Sequence, residues 1–262
     1  MNEHQVATLA FTAFWLLLVV GILLARRRWP RPRAFADKML AQWKPSLAIA
    51  LIYLASNASL GRGFLNPYAV AIFCQCLVGL AIARDMTGFE PLAVAQSIIR
   101  RDHLIRSVLL MVVIALLLGA VGLAVGAVGI GIIRQIIGET YSAEQAVGEF
   151  PFTRVQAFFY FLGGAGTAEE TTYRLVFLSL VWRITRRRWL AIWLSAVVFA
   201  VYHLTPLSGM YRTFWQFPIS QLVSTTLIGL VWGYGYAKRG YETAVLAHTF
   251  SDWLPMILFS QA

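Results

Sequence analysis

The chain has 262 residues, of which 59% are hydrophobic and only 13% charged, about half the charge an ordinary soluble domain carries. A mean hydropathy of +0.67 excludes a water-soluble globule, since a core of this size cannot hide so much apolar surface. Lipid must be the solvent. The net charge of +10, from 22 Lys and Arg against 12 Asp and Glu, does not point to nucleic acid: the arginines flank apolar runs, where they set membrane topology.

A membrane-crossing helix needs about 20 predominantly apolar residues. In chain order the sequence predicts spans over residues 6–25, 45–60, 64–83, 108–133, 152–184, 190–205, 214–237 and 245–259. The expected fold class is therefore all-α, a polytopic membrane helix bundle of about eight transmembrane helices, located as an integral, multi-pass membrane protein. The run 45–60 is the weakest, diluted by Ser56, Asn57 and Ser59; were 45–83 a re-entrant hairpin, six spans would remain with the same parity. The first run reads as an anchor and not a cleaved leader. It opens Met-Asn-Glu-His without a basic stretch, is too long, and is followed by Arg26, Arg27 and Arg28.

Basic residues fit that arrangement. The loops at 26–44, 84–106, 183–188 and 238–239 hold 17 of the 22 Lys and Arg, so they form the inside face, and both termini lie outside. Arg62, Arg134, Arg154 and Arg212 fall on the opposite side, whose longest loop carries Glu139, Glu144 and Glu149. Segments 35–43 and 89–99 are amphipathic and lie along the headgroups. In the span 108–133, Gly119, Gly122, Gly126 and Gly129 recur on one face, which lets helices approach closely. Cys74 and Cys76 point to nearly opposite sides of one helix and cannot bridge each other. No internal repeat supports an inverted-repeat transporter.

Ionisable groups inside spans are costly, and here they gather in the last four: Glu169, Glu170 and Arg174, then His203, then His248 and Asp252. Glu170 and Arg174 stand four apart in the favourable order for an ion pair. Glu169 is turned about 100° from Glu170 on an α-helix, facing with Thr172 and Tyr173, and has no local partner. Phe199 shares a face with His203, and His248 with Asp252. Counted inward from Arg183, Arg188 and Arg239 at ~1.5 Å per residue, Glu169 and His203 lie roughly 20 Å deep and His248 about 14 Å. The simplest closure brings Glu169, His203 and His248 into one polar pocket. The glycines at 163, 164 and 166 just before Glu169 let another helix or a substrate come close. Trp193, Trp215, Trp232 and Trp253 read as interface belts and core.

Glu169-Glu170-x-x-x-Arg174, Phe199-x-x-x-His203 and His248-x-x-x-Asp252, in this order on successive spans, resemble the CPBP family (CAAX protease and bacteriocin-processing, also ABI). These are glutamate-type intramembrane proteases, among them the CAAX prenyl endopeptidases. The resemblance implies a division into N-terminal transmembrane helices with interfacial segments (1–150) and a catalytic helix core (151–262). It implies a peptidase with no cofactor and no metal. Glu169 would be the general base that activates water, His203 its assistant, and His248 with Asp252 the stabiliser of the oxyanion. Glu170 and Arg174, with Phe199 and Tyr173, would support the site.

An imidazole N–H aimed at a developing oxyanion is worth most where water is excluded. The family's last motif commonly ends in Asn, whose amide donates; Asp252 in its place must be protonated or must orient a donor. The implied partners are a peptide or protein substrate, possibly membrane-anchored, and the bilayer, with no nucleic acid. Two other readings use the same residues: a non-proteolytic scaffold or immunity-type regulator that kept the pocket, and a His/Glu metal site for hydrolysis or transport. No His-Glu-x-x-His zinc motif and no Gly-x-Ser-x-Gly elbow is present.

Overall fold

The computed structural model describes residues 2–61, 66–139 and 152–259. Arg62, Glu144, Glu149 and the start of the run 64–83 lie outside the described residues. Every regular element among them is helical: α1 (Glu3–Ala25), α2 (Pro30–Leu40), α3 (Trp43–Ala58), α4 (Tyr68–Ala83), α5 (Ala93–Arg100) and α6 (Leu104–Ile137). There follow α7 (Arg154–Phe161), two π-helical segments (Leu162–Glu169 and Thr171–Leu178), α8 (Ser179–Thr185), α9 (Arg188–Tyr202), α10 (Tyr211–Phe214), α11 (Pro218–Arg239) and α12 (Tyr241–Phe259).

Two helices, α1 and α6, are long and apolar enough to cross a membrane by length and composition. Both leave most of that apolar surface exposed, including Leu17, Leu24, Leu109 and Leu117. A soluble protein cannot hold such surface open to water. The helices α4 and α9 are apolar but shorter. At ~1.5 Å per residue α6 is about 51 Å long, well beyond a hydrocarbon core of about 30 Å. The amphipathic segment at 89–99 is helical only from Ala93, and α2 starts earlier than expected because Pro30 fits the first helical position, where a missing N–H costs nothing.

The core does not lie under α6, the longest apolar helix. It forms around α4 and the rod of residues 154–185, where Ile72, Cys76, Leu80, Leu175 and Leu178 are packed with Ile192 of α9, Tyr236 of α11 and Ala244 of α12. The glycine row on α6 does what its spacing implies. Gly119 lies against Ala247 and Phe250 of α12, and Gly126 and Gly129 lie against Ile228 and Leu227 of α11. Any Cβ there would fall 2.5–3.3 Å from those atoms.

Both ends of the bundle are tied by polar contacts. On the basic side, Asp85 binds Lys38 of α2 and Arg183 of α8, while the Glu242 carboxylate accepts the Val94 and Ala95 N–H groups at the start of α5. On the other side, Glu3 pairs with Arg212 at 3.2 Å and accepts the Tyr211 hydroxyl, and His4 Nδ1 donates to the Pro206 carbonyl at 3.1 Å. The connection between α9 and α11 is thereby held against the start of α1.

Candidate active site

The Glu169–Glu170 pair sits where two wide helical segments meet. An α-helix is the expectation from spacing alone, but residues 162–178 wind as π-helix, broken only at Glu170. Such i→i+5 turns are rare and concentrate at functional sites. Side chains help to make them: the Thr167 hydroxyl donates five residues back to Leu162 and the Ser179 hydroxyl five back to Arg174. Gly166 clears the way for α12, since a Cβ on it would meet the Thr249 hydroxyl at 2.3 Å and the Val245 carbonyl at 2.9 Å. That approach delivers His248, three residues beyond Val245, to the carboxylates.

Glu170 and Arg174 form the ion pair their spacing implies, Nη1 to Oε1 at 3.0 Å, with both side chains fully buried. The guanidinium is also held by the Gly229 carbonyl at 3.3 Å and lies over the Phe199 and Trp232 rings, 4.4 and 5.5 Å from their centroids. Cation–π contact of this kind is strongest when the ion is desolvated.

His248 is the junction. Its Nδ1 lies 2.8 Å from Glu170 Oε1, and its Nε2 3.8 Å from Glu169 Oε2 and 3.6 Å from Asp252 Oδ2. An ionised carboxylate only accepts, so Nδ1 carries the hydrogen. The neutral ring then presents a lone pair at Nε2, and only the imidazolium presents an N–H. His248 is almost fully buried, Glu169 keeps 20% of its side-chain surface exposed and Asp252 33%. Of the two adjacent glutamates, Glu170 is sealed into the bundle and Glu169 faces open space.

His203 is placed differently. Its Nδ1 donates to the Phe199 carbonyl at 2.9 Å, which fixes the tautomer with a free Nε2. Among the described residues it forms no hydrogen bond or ion pair with Glu169 or His248. What joins the two imidazoles is Phe199, whose ring meets His203 edge-on at 4.7 Å and His248 edge-on at 5.6 Å. Phe214, from the connection after α9, closes on the other side of His203 at 5.5 Å.

The sequence reading missed residues that shape this site. Trp232, read as belt or core, stacks on His248 with centroids 3.6 Å apart. Tyr202, whose hydroxyl donates to the Leu207 carbonyl at 3.5 Å, packs with Tyr173, whose ring also touches Phe199. On α4, Gln75 accepts a hydrogen bond from Thr172 at 3.2 Å. Trp193 and Trp215, by contrast, are exposed, as belt residues are. Gly229 and Trp232, three apart on one helix face, both meet Arg174, the glycine through its carbonyl at 3.3 Å and the indole through its ring.

Residues 151–254 match the family model of the type II CAAX prenyl endopeptidase, Rce1-like, proteins. The match agrees with the CPBP resemblance of the three motifs and contains all of them, from Glu169 to Asp252. No curated protein and no solved structure matches the chain. The Rce1-like segment starts just before α7 and includes the π-helical rod, α9, α11 and most of α12. Gln75 of α4, which accepts a hydrogen bond from Thr172, comes from outside it.

Proposed function

We propose that the protein is a multi-pass intramembrane endopeptidase in which Glu169 activates water for attack on a peptide carbonyl. The observation that carries this is the unequal pairing of the two glutamates. Glu170 is engaged by Arg174 and His248, whereas Glu169 keeps 20% of its side-chain surface exposed and lies 3.8 Å from His248 Nε2. A water between Glu169 and that nitrogen loses its proton to Glu169 as its oxygen bonds to the carbonyl carbon. Glu169 then returns the proton to the leaving amine as the C–N bond breaks. His203, with its Nδ1 fixed, offers Nε2 to the same water.

The negative charge that forms on the carbonyl oxygen needs a donor. A His248 that has taken its second ring proton from solvent before the attack supplies one through Nε2–H, and the carboxylates of Glu169, Glu170 and Asp252 around a single guanidinium balance the added charge. Asp252, as a carboxylate 3.6 Å from Nε2, orients that ring in place of donating. The substrate is a peptide or protein, and the family's name makes a prenylated C-terminus the first class to try. Residues 151–262 form the catalytic core and 1–150 its transmembrane frame. Eight spans with both termini outside remain the reading that best segregates the basic loops; cysteine-accessibility labelling of those loops tests it.

Protein termini compared between cells carrying wild-type and Glu169→Gln protein at equal abundance decide the activity. At least one terminus present with wild type and missing with the variant is expected. A variant that retains every terminus and the cellular phenotype would leave a scaffold, not a peptidase.

A further inference from the structure

The foot of α1 and the start of α2 enclose an open groove of about 550 Å³, lined by Leu17, Leu18, Gly21 and Ile22 of α1 and by Arg31 and Phe35 of α2, among others. Its walls are almost entirely apolar, and it opens beside the exposed Leu17 and Leu18 of α1, one of the two membrane-length helices. Arg31 is its one charged lining residue, at the basic end of the helix beside Arg26, Arg27, Arg28 and Arg33. Arg26 is neutralised by Asp37 at 2.7 Å. Arg31 is exposed and, among the described residues, has no ion pair or side-chain hydrogen bond. Gly21 forms part of the groove, and a Cβ placed on it meets nothing within 4 Å.

We propose that this groove binds an anionic phospholipid of the bilayer, with one acyl chain along Leu17, Gly21 and Ile22 and the phosphate against Arg31. The polarity of the groove matches that of the ligand. An apolar trough parallel to a spanning helix, capped at the headgroup level by an unpaired cation, fits an amphiphile of one orientation and sign. The occupied site would also brace the catalytic rod, because α2 reaches it through Lys38, Asp85 and Arg183.

The test uses the full chain in nanodiscs of phosphatidylcholine, with and without phosphatidylglycerol, and in detergent for native mass spectrometry. Retention of one phosphatidylglycerol per wild-type chain is expected, together with a higher melting temperature in phosphatidylglycerol discs. Arg31→Gln should weaken retention about fivefold, the effect of one basic side chain at an anionic surface. Gly21→Leu, which fills the groove without touching the protein interior, should abolish retention and the melting shift together. Equal retention by wild type and Gly21→Leu would overturn the proposal. So would equal losses from Arg28→Gln and Arg31→Gln, which would indicate a diffuse charge effect, or a dimer that Gly21→Leu dissociates, which would make a second copy the occupant.

Discussion

The His248 imidazole lies flat on the Trp232 indole, ring centroids 3.6 Å apart and planes 27° from parallel. With Nδ1 bonded to Glu170 and one face covered by Trp232, the ring has no rotational freedom, and Nε2 is held toward Glu169 and Asp252. Trp232 itself is buried, so its role is to position His248. Trp232→Phe keeps an aromatic surface and should retain activity within about threefold. Trp232→Leu frees the ring and should cost roughly 10²-fold, the penalty for an ångström of misplacement. The loss should fall on kcat, with KM little changed. An equal fall in both variants would point to general loss of packing.

The buried Glu170–Arg174 pair calls for a different pattern. Removing one partner leaves an uncompensated charge in a medium without water, at a cost of about 3–5 kcal/mol. Arg174→Met should therefore unfold the protein at markedly lower temperature in detergent. Arg174→Met with Glu170→Gln should recover most of the melting temperature and none of the activity, because His248 Nδ1 still loses its carboxylate. Thermal unfolding followed by terminus mapping separates the two effects.

Gly166 sets the distance between the rod and α12. Gly166→Ala places a methyl group 2.3 Å from the Thr249 hydroxyl and 2.9 Å from the Val245 carbonyl. Overpacking of this kind costs about 1–3 kcal/mol, and here it displaces the helix that carries His248. Thr249→Ala removes the first clash but not the second, which is backbone. Partial rescue of melting temperature with little rescue of activity is the expected result of the double variant. Full rescue of both would show that the side chain alone sets the approach.

These contacts also mark what the sequence could disclose. The Glu170–Arg174 pair is local, four residues apart, so spacing sufficed to find it. Glu169 emerged as the carboxylate left over. The bond between Glu170 and His248 joins residues 78 apart and depends on π-helical turns and a glycine clearance, which no periodicity encodes. Trp232 was hidden by its own kind, one of nine tryptophans in an apolar chain. His203 was legible as a residue out of place in lipid, but its partner is a backbone carbonyl one turn back. The apolar runs correspond to helix over their described residues, yet length and apolar composition together qualify only α1 and α6, because the others are short, divided or interrupted by polar residues.

Chelation separates the proposed chemistry from a metal-dependent one. Both imidazole Nδ1 atoms and Glu170 Oε1 are already engaged. Among the described residues no group of three or more His, Cys, Asp and Glu is arranged to hold a metal ion. Terminus formation by the purified protein should be unchanged in EDTA and in 1,10-phenanthroline. Loss in chelator with recovery on adding zinc would transfer the reaction to a metal ion.

Asp85 gives the acid limb of stability, away from the membrane core. Burial alone would push its carboxyl up, but hydrogen bonds from Lys38 and Arg183 and their charges outweigh burial and hold it below its ordinary value of 3.8. A carboxyl lowered on folding contributes stability that is complete above its unfolded value and disappears as pH falls through the lowered one. The wild-type melting temperature should therefore be flat through neutrality and decline below about pH 4, where an unfolded Asp begins to take up its proton. Asp85→Asn should lower the plateau by about 1 kcal/mol, the range for exposed ion pairs, and flatten the acid decline. Because Asp85 bridges α2 and α8, the same variant should speed amide hydrogen exchange at the ends of both helices while sparing α12. An acid decline unchanged by Asp85→Asn would assign it to other carboxylates.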